Sequence, residues 1–394
     1  MSIESSEQAA LVLKEIGVDS AGIACMASKM RHLNVKLSRL ECRMANIIKQ
    51  EMLSLGGDAA VARGTVDCSI PHTDVVLMGT EKQLMLAADK LKVQPFGLRR
   101  IGEKLKESIT FINNRSLDVK CGSLVLKLSD RIHIMGILNV TPDSFSDGGS
   151  YVDPVHALER ALVMESEGAD IIDIGGESTR PGAMPVSEEE ELKRVLPVID
   201  IVAKKVDIPV SIDTYKANVA KQAVERGASI INDISGFRFD PEMAAAASGL
   251  NCPVVLMHTR GTPADMQLDT TYSSLMDEVI DFLKASIAIA EEAGVDSDKI
   301  IVDPGIGFGK SVQGNLHLIK NLDELKVLGK PVLVGTSRKS FIGALADAEL
   351  HDRLEGTLAT SMFALIKGAD IIRAHDVKEV KRTLDITDAI LRCN

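Results

Sequence analysis

From about residue 130 onward, short apolar runs alternate with longer amphipathic stretches. The runs are six or seven residues long and rich in Val and Ile, which is typical of parallel strands buried on both faces. The stretches between them have apolar residues at helical spacing, and several end in Gly-Ala, as helix carboxyl ends do. There are eight such runs: HIMGILN (133–139), DIIDIGG (170–176), PVSIDT (209–214), SIINDIS (229–235), PVVLMH (253–258), KIIVDP (299–304), PVLVGT (331–336) and DIIRAH (370–375).

Eight strand-then-helix units within residues 130–394 predict an α/β fold, a closed (β/α)8 (TIM) barrel. An open doubly wound sheet is the alternative. Residues 1–125 lack this rhythm. There, 38–57 reads as an amphipathic helix and 74–92 as a strand, a turn and a helix, which predicts a small α+β amino-terminal domain of unknown role. Its motif-like stretch 56–69, with Asp58, Arg63 and Cys68, is interpreted as packing or linker structure.

Composition narrows the classes of protein. Hydrophobic residues make up 45% and charged residues 26%, as in soluble globular chains, so a disordered chain or a small disulfide scaffold is excluded. Aromatic residues make up 3%, and Trp is absent, which disfavours stacking platforms for single-stranded nucleic acid. A net charge of −11 repels nucleic acids and anionic membranes, but leaves room for a local basic pocket. Small-molecule substrates are therefore the expected partners.

The six cysteines form no CxxC pair and no zinc-ligand spacing. The amino terminus lacks the pattern of a signal peptide, and no apolar run is long enough to span a bilayer. We therefore expect a cytoplasmic protein whose cysteines act as small core residues.

Polar side chains close nearly every predicted strand. In a barrel of this kind, functional groups lie at the carboxyl ends of the strands and in the loops that follow. One such residue is usually a helix cap or turn former, but capping alone does not explain the same placement on most strands. The residues are Asn139, Asp173, Asp213, Asn232, Asp233, His258, Asp303, Arg373 and His375.

Basic residues gather after the last two strands. Arg373 and His375 are two apart, so on a strand both point to one face, and this pair suits a phosphate or diphosphate. The loop after strand seven carries Ser337, Arg338 and Lys339, which suit an anion or a polar heterocycle. The structural alternatives are an Arg–carboxylate pair and a basic surface turn.

Asp303 begins the glycine-rich segment DPGIGFGKS (303–311). Pro304 occupies the position of the first glycine of a phosphate-binding loop, so that motif is excluded. We interpret the glycines as a tight turn that presents Asp303 with Phe308 above it. A buried carboxylate there accepts two hydrogen bonds from an edge such as that of a 2-aminopyrimidinone, and Asp213 and Asn232 extend the recognition.

The first two loops, 136–151 and 175–190, are long for β-to-α connections, which is typical of lids. With these loops in view, the chain resembles the dihydropteroate synthase family. MGILNVTPDSFSDGG (135–149) and DIGGESTRPGA (173–183) are similar to its two signature segments, and the likeness runs in order from about residue 131 to 392.

This resemblance implies condensation of 6-hydroxymethyl-7,8-dihydropterin diphosphate with p-aminobenzoate, usually with Mg2+, in a homodimer. It implies a catalytic or Mg2+-assisting role for Asp143, and catalytic roles for Lys339, Arg373 and His375. The implied binding residues are Asp213, Asn232, Met257, Asp303, Phe308 and Lys339 for the pterin; Asn139, Arg373 and His375 for the diphosphate; Asn139 for the metal; and Phe145, Thr179, Arg180, Pro181 and Ser340 for p-aminobenzoate.

Two alternatives stay open from sequence alone. A methyltetrahydrofolate–corrinoid methyltransferase shares the barrel and the Asp and Asn positions, but should lack the two signature loops. A pterin-binding protein without catalysis should have lost Arg373 or Lys339, and both are present.

Overall fold

The computed structural model describes residues 3, 6–113, 117–141 and 153–393. These residues divide into two compact units, Met1–Arg115 and Ser116–Asn394. In the described part of the chain, no helix combines the length and the apolar character needed to cross a bilayer.

The first unit is an antiparallel three-stranded sheet with helices. Its central strand β3 pairs with β1 on one side and β2 on the other. The core lies between this sheet and helices α3, α4 and α5, around Ile48, Leu77 and Leu84. In chain order the elements are α1 (Ser6–Glu15), α2 (Ser20–Met30), β1 (His32–Glu41), α3 (Cys42–Ser54), β2 (Asp58–Val61), β3 (His72–Thr80), α4 (Glu81–Leu91) and α5 (Leu98–Asn113).

The prediction of a helix from residue 38 was wrong at its start. Residues 38–41 belong to β1, and helix α3 begins only at Cys42. Strand β1 has a register shift between Leu37 and Leu40, and Arg39 has a φ of 55°, so the alternation of apolar residues breaks there. Because of this break, the pattern of apolar residues does not show where the strand ends. The strand, turn and helix predicted for 74–92 are confirmed as β3 and α4.

The motif-like stretch 56–69 folds as β2 followed by a short turn. Arg63 begins a 3-10 turn, Arg63–Thr65, and is exposed. Asn46 donates a hydrogen bond to the carbonyl oxygen of Thr65 at 2.8 Å, and Asp67 accepts one from the amide of Ser69 at 3.2 Å. Asp58 accepts a hydrogen bond from the amide of Ala59 at 2.7 Å, and Cys68 Sγ donates to the carbonyl of Thr65 at 3.7 Å, so both make local contacts within the stretch.

The second unit is a parallel eight-stranded sheet in the order β11-β10-β9-β8-β7-β6-β13-β12. A parallel bridge between Val302 and Val332 joins its two ends and closes the ring, so the predicted barrel is confirmed. The strands are β6 (His133–Asn139), β7 (Ile171–Gly175), β8 (Val210–Asp213), β9 (Ile230–Asp233), β10 (Val254–Met257), β11 (Ile300–Asp303), β12 (Leu333–Val334) and β13 (Ile371–Ala374).

Helices surround this ring, and one follows each strand, as the alternation of apolar runs and amphipathic stretches predicted. Their apolar faces pack on the outer face of the strands in one continuous core. They are α6 (Pro154–Ser166), α7 (Glu188–Val202), α8 (Ala217–Glu225), α9 (Met243–Leu250), α10 (Leu275–Glu292), α11 (Val312–Lys320), α12 (Ser340–Ala346), α13 (Leu354–Ile366) and α14 (Val377–Arg392).

A hairpin precedes the barrel and belongs to the same unit. Its strands are β4 (Asp118–Cys121) and β5 (Leu124–Lys127), paired antiparallel. Its buried side chains share one cluster with barrel residues such as Ile230 and Ile371, which begin their strands. The expected division between residues 125 and 130 therefore moves to 115/116, because the hairpin packs with the barrel.

Candidate active site

Arg373, on β13, lies at the carboxyl ends of the strands and is held by two acids, one on β7 and one at the end of β8. Its Nε donates to Asp173 Oδ2 and its Nη2 to Asp213 Oδ2, each at 2.6 Å. Asn232 Nδ2 donates to the same oxygen of Asp173 at 3.1 Å. Asp173 is fully buried, and its Oδ1 has no hydrogen-bond partner among the described residues. These bonds use two of the five guanidinium donors, so the cation is fixed with donors to spare.

Asp303 and Lys339 belong to the same hollow. Asp303 closes β11 and is buried, and its Oδ1 accepts a hydrogen bond from the amide of Gly305 at 2.7 Å. Burial raises the pKa of Asp303 to about 6, against the opposing effect of Lys339 and Arg373. Burial, with the repulsion of Arg373, lowers the pKa of Lys339 to about 8. The side chain of Lys339 lies against Gly307 in the loop that follows Asp303, and both Lys339 and Arg373 act on the charge of Asp303.

Asp213 is the acid most strongly affected by its surroundings at this end. Burial raises the pKa of Asp213 to about 7, with Arg373 opposing and Asp173 reinforcing the shift. Two acids therefore share one guanidinium here.

An apolar slot borders these charges. Met257 and Phe308 are buried in one cluster with Ile234 and Met266. The ammonium of Lys339 lies 4.2 Å from the centre of the Phe308 ring. A flat heterocycle with polar edges suits a slot with one apolar wall and one charged rim.

His375 is neutral here. Burial, followed by the repulsion of Arg373, lowers the pKa of His375 to about 3. Its Nδ1 lies 3.0 Å from Ser337 Oγ, and its backbone amide donates to that oxygen at 3.2 Å. His375 therefore contributes a hydrogen-bonding imidazole, and the positive charge beside it belongs to Arg373.

Arg338 does not join the anion-binding cluster that the sequence suggested. Its guanidinium forms a two-pronged ion pair with Asp376, with Nε 3.0 Å from Oδ2. Its carbonyl accepts a hydrogen bond from Arg353 at 3.1 Å. Arg338 also has a φ of 55°, which fits a tight turn that projects Lys339 toward the site. Arg338 therefore belongs to the turn, and the Arg–carboxylate pairing considered as an alternative for Arg373 is formed by Arg373 with Asp173 and Asp213.

The arylamine residues predicted from the resemblance lie on loops. Thr179 is half-buried, whereas Arg180 and Pro181 are exposed. The amide of Gly182 donates to the carbonyl of Pro263 at 2.9 Å, so the second loop contacts the loop after β10. Ser340 is exposed at the start of α12. Asn139, at the end of β6, is half-buried, and Asp143 and Phe145 lie outside the described residues.

A buried lysine, Lys310, which the sequence analysis did not select, supports the site. Lys310 Nζ donates to the carbonyls of Gly305 at 2.9 Å and Phe308 at 2.8 Å, and lies 2.8 Å from His258 Nδ1. Burial lowers the pKa of Lys310 to about 7 and that of His258 to about 2. Lys310 thus holds the loop that carries Phe308. The available signal was a lysine inside an apolar, glycine-rich turn.

The glycines of that loop are required by close backbone contact. Gly305 has a φ of 67°, and a Cβ there would lie 1.9 Å from the carbonyl oxygen of His258. The turn is therefore restricted to glycine, which keeps Asp303 and Phe308 at a fixed separation.

The fold and this site define a class of protein, the pterin-binding enzymes, whose family model, described as pterin binding enzyme, matches residues 135–375. The dihydropteroate synthase of Clostridium beijerinckii is 50% identical over 275 residues, covering 70% of this chain and all of that protein. The solved structure of Xanthomonas albilineans dihydropteroate synthase with 4-aminobenzoic acid is 43% identical, with a TM-score of 0.67, and covers 71% of this chain and 100% of that one. The chain belongs to the dihydropteroate synthase family.

It is therefore an enzyme, with the dihydropteroate synthase activity of folate biosynthesis. These matches decide between the alternatives that the sequence left open, in favour of the synthase. A further relative extends the likeness to the first unit. The probable bifunctional folylpolyglutamate synthase/dihydropteroate synthase of Halobacterium salinarum is 42% identical over 390 residues, covering 98% of this chain and 46% of that protein.

Proposed function

We propose that the chain condenses 6-hydroxymethyl-7,8-dihydropterin diphosphate with p-aminobenzoate, using the charged hollow at the carboxyl ends of its strands. The observation that carries the proposal is Arg373, held at 2.6 Å by both Asp173 and Asp213 beside Asp303 and Lys339. This arrangement offers acceptors for the N–H edge of a pterin and a fixed cation for its diphosphate.

The pterin occupies the slot beside Met257 and Phe308. Asp303, when ionised, accepts two hydrogen bonds from the amino and ring N–H groups of the pterin. Asp213 and Asn232 bind the same ring system, and Lys339 donates to it from above Phe308. A buried carboxylate is selective, since an analogue without those N–H groups leaves its oxygens unpaired.

The diphosphate lies against Arg373, His375 and Asn139. Arg373 supplies charge and His375 a neutral hydrogen bond. For Mg2+, the described residues contain no group of three His, Cys, Asp or Glu side chains that could hold a metal. This fits an ion that takes one or two protein oxygens and completes its shell with phosphate oxygens and water. The amide oxygen of half-buried Asn139 suits that role, and bound Mg2+ would neutralise the leaving diphosphate.

Thr179, Arg180 and Ser340 bind the p-aminobenzoate, with Pro181 and Phe145 flanking it and Asp143 assisting from the first loop. The reaction is dissociative. The bond between the pterin methylene and the diphosphate oxygen breaks first, and diphosphate leaves with the electron pair. The cation is delocalised into the electron-rich dihydropterin, the arylamine nitrogen attacks it, and the nitrogen loses a proton. The chain positions the reactants and stabilises charge, without a covalent enzyme intermediate.

A homodimer is the proposed assembly, and a cytoplasmic location stays a prediction. Exposed apolar side chains gather on neighbouring helices: Met362, Phe363 and Ile366 on α13, and Ile386 and Ile390 on α14. A contiguous apolar patch of this kind marks an interface. Sedimentation should show a dimer that Phe363→Asp converts to a monomer; a monomeric wild-type chain would contradict the assignment.

A turnover assay tests the function. The chain is mixed with the dihydropterin diphosphate and p-aminobenzoate, with and without Mg2+, and diphosphate and dihydropteroate are measured together. We expect both products in equal amounts, only when both substrates are present, and faster with Mg2+. A panel of other arylamines tests the choice of amine. Pterin binding without diphosphate release would overturn the proposal.

A further inference from the structure

A buried charged cluster lies at the start of the second loop, and no step proposed above uses it. Lys216 donates hydrogen bonds to Glu177 Oε2 and Glu191 Oε2, both at 2.5 Å. The exposed fractions of these side chains are 15% for Lys216, 6% for Glu177 and 1% for Glu191. A buried triad of charges is costly to form, so its position in the fold calls for a reason.

Tyr215 joins this cluster to the pterin slot. Its hydroxyl donates to Glu177 Oε1 at 2.9 Å. Its ring packs edge-on against Phe239, with centroids 5.3 Å apart, and contacts the cluster that contains Met257 and Phe308. One side chain therefore touches the apolar wall assigned to the pterin and the acid that precedes the loop assigned to the arylamine.

Glu177 is the last buried residue before the exposed part of the second loop. Thr179, two residues on, is half-buried, and Arg180 is exposed. From the other side, Arg194 on helix α7 donates to the carbonyl of Gly176 at 2.9 Å. Residues 176–177 are thus held by α7 through the Gly176 carbonyl, and by Tyr215 and Lys216 through the Glu177 side chain.

The charge balance keeps the cluster together. Burial acts to lower the pKa of Lys216, but its two carboxylate partners outweigh this and the net shift is upward. Burial raises the pKa of Glu191, although Lys216 opposes that shift. The Oε1 of Glu191 has no partner among the described residues. A permanent ammonium between two acids therefore ties helix α7, the second loop and the segment after β8 to one another.

We propose that Tyr215 and Lys216 are positioning residues that couple the pterin slot to the arylamine pocket. This rests on the proposed function. A pterin in the slot presses on the wall of Met257 and Phe308 and restrains the Tyr215 ring. Tyr215 and Lys216 in turn restrain Glu177, so Thr179 and Arg180 are ordered before the arylamine arrives. The arylamine then binds more tightly to the pterin-loaded enzyme than to the empty one.

Tyr215→Phe is the sharpest test, because it keeps the ring packing and removes only the hydroxyl. The affinities of two non-reacting probes are measured by calorimetry: 6-hydroxymethylpterin, which fills the slot alone, and pteroic acid, which also carries the arylamine part. We expect the affinity for 6-hydroxymethylpterin to stay within twofold. The extra affinity of pteroic acid should fall about tenfold, the effect of losing one hydrogen bond to a charged group. The KM for p-aminobenzoate should rise in parallel.

Lys216→Met is the second variant, and Lys330→Met is its matched control. Lys330 is also buried, with Nζ 3.2 Å from Glu291 Oε1 and 2.6 Å from the carbonyl of Ser297, but it lies before β12 at the opposite end of the barrel. Both variants should lower the melting temperature. Only Lys216→Met should reduce the extra affinity of pteroic acid, and by at least as much as Tyr215→Phe.

The outcomes separate this proposal from the proposed function. If wild-type enzyme binds neither probe and releases no diphosphate, the function itself is wrong. If wild-type enzyme turns over and Tyr215→Phe keeps the full extra affinity of pteroic acid, the coupling role is overturned. An equal loss with Lys330→Met would also overturn it, because the effect would then reflect general stability.

Discussion

The two ends of the active site are built differently. The pterin and diphosphate end is carried by strand ends whose side chains bond to each other, as Arg373 does to Asp173 and Asp213. The arylamine end is carried by loops, where Arg180 and Ser340 are exposed. In the proposed function, the pre-formed, buried end binds the substrate that must be activated, and the open end admits the second substrate. Substitutions should therefore cost most at the strand ends and least on the loops.

Arg373→Ala should have the largest effect. It removes the cation proposed to hold the diphosphate and leaves Asp173 and Asp213 buried without a cationic partner, a cost of about 3–5 kcal/mol. We expect kcat/KM for the dihydropterin diphosphate to fall about a thousandfold. Arg226→Ala, which breaks an ion pair with Asp200 on the outside of the barrel, is the control and should leave kcat/KM within a few-fold. Near wild-type kinetics for Arg373→Ala would refute its role.

Asp303→Asn should weaken the pterin next. The amide keeps the size and the acceptor for Gly305, but loses the charge that accepts two N–H groups, so we expect pterin affinity to fall about a hundredfold. Asp233→Asn is a matched change on strand β9, two strands away from β11, because Asp233 is also a buried strand-end acid and accepts from the amides of Ser235 and Phe237. It should lower the melting temperature and spare pterin affinity. An unchanged pterin titration for Asp303→Asn would remove it from the site.

Arg180→Ala tests the loop end. Since Arg180 is exposed, the contact proposed between Arg180 and the arylamine carboxylate would be partly screened by water, so we expect the KM for p-aminobenzoate to rise about tenfold. Pterin affinity should not change. A larger loss in pterin affinity than in arylamine KM would break the division between the two ends.

The change of kcat/KM with pH should be the smallest effect, and it should come from groups at the carboxyl ends of the strands. The pKa of Asp213 is about 7 and that of Asp303 about 6, so kcat/KM for the pterin substrate should fall progressively below pH 7 as these carboxylates gain protons. The pKa of Lys339 is about 8, so the rate should fall again above pH 8 as the ammonium is lost. Lys339→Arg should remove the alkaline limb, because guanidinium stays charged. An alkaline limb that persists in Lys339→Arg would assign it to another group.

The sequence predicted the barrel well because strands buried on both faces are apolar throughout and end abruptly in a polar residue. It located Asp213, Asn232, Asp303 and Arg373 by that rule. It also marked Asp173 as a strand-end acid but gave it no role, since the rule cannot say which strand-end acid bonds to Arg373. That choice depends on strand order around the ring, which periodicity does not contain.

Side-chain partnerships across loops were also invisible. Arg338 and Lys339 look alike in sequence, yet one pairs with Asp376 and the other faces the site. Arg338 has a positive φ, so the backbone turns sharply there and the side chains of Arg338 and Lys339 point in different directions. Likewise, the charges of Lys216 and Glu191 predict exposure to solvent, yet both side chains are largely buried.

The hairpin of β4 and β5 has a practical consequence for isolating the catalytic unit. Its Val119 and Leu126 pack against residues at the amino-terminal ends of the barrel strands. The hairpin therefore covers the apolar side chains at that end of the barrel. A shortened protein that starts at residue 130 would expose these apolar side chains to water at the end of the barrel away from the active site, so it should aggregate or have a lower melting temperature. A shortened protein that starts at residue 116 would retain the hairpin.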